Sequence, residues 1–475
     1  MTRTIDTEVL IIGSGAGGAV TAARLAEAGR SVLVVEEGPW FDPDAHEPSS
    51  LEEFTARWRH QGACAALGSP GIAFAEGRCV GGSTEINMGL YHRLPAHFAD
   101  EWRRKYAIAD FDAATLDRYA TDVEKTVTVS FLPGEPPPSS AVLEHGADAL
   151  GWKSVEFARV FAYDDKGHGT KQTMSRTMIP KAVAAGATIQ PDCTVLKLNR
   201  SGRRVTGATA RLGYGDGSSE LVTLRAEQVF VCGGAIQTPT LLQRSGFRRN
   251  IGPGLKFHPT VKVAARFSHP YDHEDVPVHR VTEFDPFLTI GGSASRRGHV
   301  ALAVADAAPD DLDRVLEEWQ NVVVYYAAIR STGSGRVRAL PGLRAPLVTY
   351  GLTDSDLSRL ARGLVHLGEV LLAAGAIELF PSIAGGPIVR SRADLGQWWQ
   401  ALTRSRSNLM TVHLTSTVRM GDASDLTGAD SYGRVWDTDN LRVNDASLLP
   451  DAPGVNPQAA VMMIAARNAD AFLAT

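Results

Sequence analysis

The sequence predicts an α/β fold in which a domain with a parallel sheet is interleaved with an α+β domain built on an antiparallel sheet. The chain opens with a strand, a glycine-rich turn, a helix and a second strand, and a strand leading into glycines returns at 229–235. Between 261 and 411, segments of alternating apolar residues precede one long amphipathic helix at 355–374. Parallel sheets need crossover helices, whereas alternation is typical of antiparallel strands with one buried face.

These patterns divide the chain into two domains that share it discontinuously. The first predicted domain comprises residues 1–95, 176–260 and 412–475, and the second comprises 96–175 and 261–411. The second domain should form a wall over the first, because a sheet with one apolar face must bury that face against another layer. Its predicted strands lie at 261–267, 300–305 and 322–329.

The opening unit has the pattern of a Rossmann-like dinucleotide site. An apolar strand runs into GSGAGG at 13–18, and the strand after the helix ends at Glu36. Gly13 permits a tight turn, Gly15 lets the backbone approach a pyrophosphate, and Gly18 lets helix and sheet pack closely. The helix start at Ala16 offers free N–H groups and a positive dipole end, and Glu36 can accept hydrogen bonds from ribose hydroxyls. The unit alone does not separate FAD from NAD.

The composition excludes several classes of protein. The chain has 475 residues, 44% of them hydrophobic, and a formal net charge of −5, which disfavours a nucleic-acid binder. No apolar stretch reaches the ~18 residues that a membrane helix needs. The four cysteines are scattered without a CxxC pair, which indicates reduced thiols rather than zinc ligands or disulfides. We therefore expect a soluble, cytoplasmic protein without a membrane partner.

A second glycine turn, GRCVGGSTEIN at 77–87, follows a polar excursion. Such a density of small residues indicates that something large approaches the backbone, although a loop packed on another loop is the alternative. A histidine-rich stretch is less informative, because its spacing is irregular and it contains a proline. We interpret it as a solvated loop rather than a metal site; its members are His269, Asp272, His273, Glu274, Asp275 and His279.

Two late segments carry residues suited to catalysis, HLTSTVRMG from His413 and GVNPQ around Asn456. Together with earlier motifs, their order and spacing resemble the glucose-methanol-choline (GMC) oxidoreductases over nearly the whole chain. The resemblance implies FAD as cofactor and an alcohol as substrate. The motifs that carry it are GSGAGG at 13–18, Gly81-Gly82-Ser83 with Asn87, CGGAIQTP at 232–239, His258-Pro259, the His413 segment and Asn456-Pro457.

The resemblance implies that His413 is the catalytic base and that Asn456 assists it. A neutral imidazole, whose unperturbed pKa is about 6.5, suits removal of a hydroxyl proton near neutral pH. Asn456 can donate a hydrogen bond to the developing alkoxide, and hydride passes to the flavin. The helix after Pro457 would direct its positive end at the flavin ring. The predicted cofactor-binding residues are Gly13, Gly15, Ala16, Gly18, Glu36, Gly81, Gly82, Ser83, Asn87, Val195, Gly233, Asp445, Ala446, Pro457 and Gln458.

The sequence departs from the family pattern at several positions. Ser416 and Val418 replace a common glycine and cysteine, which could shift the histidine slightly. Ile86 occupies the place where some members bind the flavin covalently through histidine, so we expect dissociable FAD.

The substrate is less defined than the reaction. The segments 82–93 and 169–172 look similar to the bacterial branch that oxidises sugar-like alcohols, including amino sugars of aminoglycosides, and Glu85 or Asp285 could pair with amines. A long-chain or aromatic alcohol is the rival substrate. A hydroxynitrile-type lyase with a redox-idle FAD and a binding module without turnover are the rival functions. The sequence leaves open whether O2 or another acceptor reoxidises the flavin, and it leaves the oligomeric state open.

Overall fold

The computed structural model describes residues 3–273 and 278–475. In this part of the chain, seven strands form the first sheet, whose core is parallel. The strand Arg3–Ile12 lies at its centre, because its last four residues, Val9 to Ile12, are apolar on both faces and fully or almost fully buried. Its strands in spatial order are Thr188–Gln190, Val32–Val35, Arg3–Ile12, Ser219–Val231, Arg204–Gly213 and Cys193–Ser201, with Leu441–Val443 also paired to Ser219–Val231.

The second sheet contains nine strands of the described chain and is mainly antiparallel. Its spatial order is Cys64–Ala66, Ile72–Phe74, Leu409–Thr411, Thr260–Arg266, Val322–Ile329, Leu288–Gly292, His279–Val281 and Ser154–Glu156, with Glu378–Pro381 also paired to Thr260–Arg266. A smaller sheet follows the order Leu347–Gly351, Ser334–Arg338, Pro253–Phe257 and Leu414–Thr415. Two short pairs join Leu90–Tyr91 to Ala158–Arg159 and Phe161–Tyr163 to Gly169–Lys171.

The α-helices cover both large sheets. The long helix Asp354–Ala373 begins with a capping box, in which the side chains of Thr353 and Asp356 each accept a backbone N–H of the other residue. It buries its apolar side against the second sheet. The other helices are Ala16–Glu27, Leu51–Arg57, Ala96–Tyr106, Ala113–Val127, Pro138–Leu150, Met178–Ala184, Gly234–Arg244, Arg297–Val304, Leu312–Glu317, Gly396–Ala401 and Gln458–Leu473.

The strand predicted at 300–305 is wrong, because Arg297–Val304 is a helix. In a helix, Val300 and Val304 lie one turn apart on the same side, and both are fully buried in one apolar cluster. Leu302 points elsewhere and is 73% exposed. In a strand, Leu302 would share the face of the two valines, so the alternating pattern of this segment was misleading.

The two faces of the strands Thr260–Arg266 and Val322–Ile329 have different surroundings. Val261 and Val263 belong to the core under the long helix. On the opposite face, Ala264 packs beneath the helix Arg297–Val304, while Thr260 and Lys262 continue beyond it. The second sheet therefore contributes one polar strip, around Thr260 and Lys262, that faces a cavity rather than a helix of the described residues.

Two segments lie across the predicted domain boundaries. The strands Cys64–Ala66 and Ile72–Phe74 pair within the second sheet, although they were assigned to the first domain. Helices Ala96–Tyr106 and Ala113–Val127 pack through Trp102 and neighbours onto the core of the first sheet. Short edge strands and amphipathic helices carry no sequence signal that says which sheet they join, so only the packing assigns them.

No helix among the described residues combines the length and apolar character that a bilayer crossing requires. Within the same residues, no group of three or more His, Cys, Asp or Glu side chains comes together to hold a metal. His273 instead contacts the carbonyl of Gln320, and His279 lies 3.8 Å from Glu144. Glu274 and Asp275, from the same stretch, lie outside the described residues.

Candidate active site

A cavity of about 1740 Å³ lies between the first and second sheets. Its floor is formed by the strand ends and glycine turns of the first sheet, and its opposite wall by the polar strip of the second. Ligand sites of parallel sheets lie at the carboxyl ends of their strands, and this cavity occupies that place. All predicted site residues line it except Gly18 and Gly81.

The first glycine turn is shaped by close contacts within the protein. Gly13 has a φ of 105°, and a Cβ on Gly17 would lie 2.0 Å from the carbonyl oxygen of Asn444. A Cβ on Gly18 would meet the Gly13 carbonyl, so Gly18 permits close packing of helix and sheet. Gly15 differs, because the nearest atom to its Cβ would be 3.9 Å away. The protein itself therefore leaves open the space in front of Gly15.

The second glycine turn lies directly against the first. A Cβ on Gly82 would lie 2.9 Å from the Cα of Gly15, and Gly81 has a φ of 94°. The Gly81 N–H donates to the hydroxyl of Ser14 at 3.1 Å. The alternative of a loop packed on another loop thus describes part of this turn. The other part faces the cavity through Gly82, Ser83 and Asn87.

Glu36 is buried at the end of its strand and still lines the cavity. One of its carboxylate oxygens accepts from the N–H and hydroxyl of Ser14, and the other accepts from the N–H of Gly38. Burial raises the pKa of Glu36, while these hydrogen bonds oppose that shift. Since each carboxylate oxygen can accept two bonds, the oxygen facing Gly38 has capacity for a ligand hydroxyl.

Asn87 and Gln458 connect the second glycine turn to the start of the last helix. The Asn87 side-chain amide donates to the side-chain oxygen Oε1 of Gln458 at 2.6 Å. Sequence reasoning missed Lys171, whose ammonium donates to the main-chain oxygens of Glu85 and Asn87 at 2.7 and 2.8 Å. Burial lowers the pKa of Lys171 to about 8. Lys171 thereby holds the loop that presents Asn87, and its short, polar strand Gly169–Lys171 carried no sequence signal for this role.

Asp445 stabilises the cavity floor through the protein's own groups. Its carboxylate accepts from the N–H and hydroxyl of Ser447, from the N–H of Gly234 and from the hydroxyl of Thr238. These four hydrogen bonds, two on each carboxylate oxygen, use its acceptor capacity, so Asp445 shapes the cavity floor rather than offering a free oxygen to a ligand. The other predicted residues of this region that line the cavity are Val195, Gly233, Ala446 and Pro457.

His413 lies next to a second histidine. The Nδ1 atoms of His413 and His258 are 2.9 Å apart, and their rings meet edge to face. The Gly454 N–H donates to Nε2 of His258 at 3.1 Å. A neutral His258 that accepts at Nε2 carries its proton on Nδ1, so it donates to Nδ1 of His413. In this arrangement the neutral His413 carries its own proton on Nε2.

His258 is buried and His413 is partly buried, and both imidazoles are neutral near pH 7. Burial lowers the pKa of His413 to about 4. Burial also lowers the pKa of His258 far below its usual value, helped by the positive charge that His413 and Arg330 can carry. His258 was noted in the sequence only as part of a His-Pro motif, and no local pattern showed that it would meet a residue 155 positions away.

His413 and Asn456 come together at the junction of the main cavity and a small adjoining cavity of about 20 Å³, both of which they line. Ser416, where the family commonly has glycine, has a left-handed backbone with a φ of 78°. Glycine would adopt this conformation without strain. Ser416 therefore holds a conformation that suits glycine, and the backbone after His413 accommodates serine there.

The residues present fit a flavin dinucleotide. Two glycine turns leave open backbone at Gly15, a buried carboxylate stands at the end of the second strand, and the cavity continues from there to His413. A volume of about 1740 Å³ exceeds the roughly 300–1,000 Å³ of most ligand sites, as a dinucleotide together with a substrate requires.

Comparisons with known proteins agree with this geometry. Residues 8–260 and 331–465 match the amino- and carboxy-terminal family models of the GMC oxidoreductases. An uncharacterised GMC-type oxidoreductase, y4nJ of Sinorhizobium fredii, is 39% identical over 99% of this chain and 95% of its own. The long-chain-alcohol oxidase FAO1 of Arabidopsis thaliana is 25% identical over 98% of this chain and 66% of its own.

Among solved structures, pyridoxine 4-oxidase from Mesorbium loti superposes with a TM-score of 0.75 at 22% identity, covering 99% of both chains. This likeness confirms the fold, with its dinucleotide-binding region and its antiparallel region. The chain therefore belongs to the GMC oxidoreductase family and is an FAD-dependent alcohol oxidoreductase.

Proposed function

We propose that this protein oxidises a polar alcohol to an aldehyde or ketone, with His413 as the group that receives the hydroxyl proton. The observation that supports this most is the convergence of His413 and Asn456 on the same end of the cavity. A neutral imidazole and a carboxamide at one point provide a proton acceptor and a hydrogen-bond donor for one oxygen atom. When bound, FAD supplies the hydride acceptor.

Proton acceptance by His413 requires a change in its pairing with His258. The proton on Nδ1 of His258 moves along the hydrogen bond to Nδ1 of His413. Nε2 of His413 releases its proton to solvent and Nε2 of His258 takes one from solvent, so the pair keeps two protons and the hydrogen bond from Gly454 is lost. Leaving that N–H without an acceptor costs about 1–3 kcal/mol, so this tautomer is a minor state within thermal reach of the resting protein. Asn456 would then donate to the alkoxide as its charge develops.

The cofactor assignment extends the same proposal. Glu36 would bind the ribose, the open backbone at Gly15 the pyrophosphate, with Gly82 beside it, and the pair Asn87–Gln458 the ring. The start of the helix Gln458–Leu473 lines the cavity there, so its positive dipole end would stabilise the negative charge of a reduced flavin. Ile86 also lines the cavity and offers no group for a covalent flavin link, which supports dissociable FAD.

A polar, sugar-like substrate remains our proposal, but the two acids considered for amine recognition are engaged elsewhere. The Glu85 carboxylate accepts from the N–H and hydroxyl of Ser175, and Asp285 pairs with Arg280 at 3.0 Å. Neither acid lines the cavity. The aminoglycoside alternative therefore gains no support from them. The rival long-chain alcohol is the substrate class named for the Arabidopsis relative.

Anaerobic mixing of the FAD-loaded enzyme with candidate alcohols tests the proposal. We expect loss of the oxidised flavin absorbance near 450 nm with at least one sugar-like primary or secondary alcohol, because the electrons of the C–H bond must enter the flavin when O2 is absent. A hydroxynitrile-type lyase would release cyanide from a cyanohydrin and leave the flavin oxidised. That result, or an unchanged spectrum with every alcohol, would contradict the oxidation.

The pH profile tests the state of His413. A base must be unprotonated, so kcat/KM should fall as the pH falls through the pKa of the imidazole. Because burial lowers that pKa to about 4, kcat/KM should stay level across the usual value of ~6.5 and reach half only near pH 4. Circular dichroism at each pH would verify folding. An apparent pKa of 6.5 or higher in kcat/KM would contradict a buried, neutral base.

A further inference from the structure

The polar strip of the second sheet brings a lysine into the cavity. Lys262 lies on the strand Thr260–Arg266 and pairs directly with Tyr326 on the neighbouring strand; both side chains line the cavity. Its backbone is held by Ser382, whose hydroxyl accepts the Lys262 N–H at 2.8 Å. The lysine therefore occupies a rigid sheet position rather than a mobile loop.

The ammonium of Lys262 has no carboxylate partner within ion-pair distance among residues 3–273 and 278–475. Burial alone lowers its pKa to about 8, with no charged neighbour contributing. The group is therefore still largely protonated at neutral pH. A cation largely withdrawn from water is normally paired, so the partly buried Lys262 ammonium is available to an anion in the cavity. Lys171, whose pKa burial also lowers to about 8, does not line the cavity and donates to main-chain carbonyl oxygens.

The neighbours of Lys262 add hydrogen-bonding capacity and no negative charge. His299, on the helix that covers the other half of this sheet face, also lines the cavity, and its buried Nδ1 has no hydrogen-bond partner among the described residues. Burial, together with the nearby charges of Lys262 and Arg296, lowers the pKa of His299 to about 4. The side chains of His299, Tyr326 and Ser382 thus line the cavity together with Lys262 and carry no negative charge.

We infer that this strip is a substrate subsite for a negatively charged group, so that the preferred alcohol carries a carboxylate or similar oxyanion remote from its reacting hydroxyl. The inference rests on the proposed function and specifies its substrate class. An oxyanion would supply the charge that Lys262 lacks and would accept hydrogen bonds from the polar side chains beside it. An amine-bearing substrate would meet repulsion at the same place.

The distance between the reacting end of the cavity at His413 and the Lys262 ammonium defines the length of such a substrate. His258, which contacts His413, and Lys262 are four positions apart along nearly extended backbone, which corresponds to about 13 Å between their Cα atoms. Lys262 reaches into the main cavity, and His413 stands between His258 and that cavity, which shortens the span. Alcohols with the acid several bonds from the carbinol carbon are therefore the appropriate probes.

Matched acid and amide pairs test the subsite. The pairs are 4-(hydroxymethyl)benzoate with 4-(hydroxymethyl)benzamide, and 8-hydroxyoctanoate with 8-hydroxyoctanamide. In at least one pair we expect kcat/KM of the acid to exceed that of the amide by about tenfold to a hundredfold, the range of a charge-assisted hydrogen bond. In Lys262→Gln, which keeps a polar side chain without charge, the ratio should fall towards one.

Lys125→Gln is the matched control, because Lys125 is an exposed lysine on the helix Ala113–Val127, away from the cavity. It should keep the acid-to-amide ratio of the wild type. Equal kcat/KM for acid and amide in every pair, or a ratio unchanged by Lys262→Gln, would overturn the subsite while leaving alcohol oxidation intact. Failure of every alcohol to reduce the flavin would instead contradict the proposed function.

Binding without turnover provides an independent readout. Isothermal titration calorimetry with 4-methylbenzoate, which has no hydroxyl to oxidise, should give a Kd about tenfold or more below that for 4-methylbenzamide, and Lys262→Gln should remove the difference. The FAD content of Lys262→Gln should equal that of the wild type. A variant that loses FAD would place the ammonium against the cofactor and overturn the assignment.

Discussion

His413→Ala should lower kcat by about 10²–10⁴-fold, the usual contribution of a general base. The variant removes the imidazole that lines both the main and the small cavity together with Asn456. FAD content should remain that of the wild type, because His413 contributes a side chain to the substrate end rather than to the glycine turns. The measurement is the rate of anaerobic flavin reduction by a saturating alcohol, which isolates the chemical step from reoxidation.

His145→Ala is the control for this substitution, since His145 is an exposed histidine on the helix Pro138–Leu150 and should leave the rate unchanged. His413→Asn serves as a second variant if alanine disturbs the pairing with His258. Reduction rates within about threefold of wild type in both variants would exclude His413 as the proton acceptor. A loss of rate accompanied by a loss of FAD would indicate a structural role instead.

Gly15→Ala should weaken FAD binding without unfolding the protein. The backbone of Gly15, with φ −68° and ψ −169°, is open to alanine, and the nearest protein atom to the new Cβ is 3.9 Å away. If a pyrophosphate approaches this backbone, the methyl group must displace it. Overpacking of this kind costs about 1–3 kcal/mol, which raises the Kd of FAD by roughly 5- to 150-fold.

Two other glycines separate a cofactor effect from a folding effect. Gly396→Ala, at the start of Gly396–Ala401 where a Cβ meets nothing within 4 Å, should change neither the Kd of FAD nor the Tm of the apoprotein. Gly17→Ala should lower both stability and FAD binding, because its Cβ would lie 2.0 Å from the Asn444 carbonyl oxygen. A Gly15→Ala protein that binds FAD as tightly as wild type would show that the cofactor lies elsewhere.

Local sequence patterns predicted an element correctly where most of its residues have the same burial. The strand ending at Ile12 and the strand Val322–Ile329 were both predicted, because each is an apolar run rich in β-branched or aromatic residues and is buried on both faces. The strand predicted for the segment 300–305 was wrong. Its small apolar residues satisfy both periods, and packing against Ala264 and Val324 selected the helix.

The sequence by itself determined the nucleotide-binding unit, the family and the two segments that carry His413 and Asn456. Those features are local, because the glycine of a tight turn or the capping residue of a helix stands within a few residues of the element that needs it. The tertiary structure alone decided that His258 meets His413, that Lys171 holds the Asn87 loop and that Lys262 lies unpaired in the cavity wall. The burial and partner of a charged side chain depend on residues distant in the chain, and no local pattern records them.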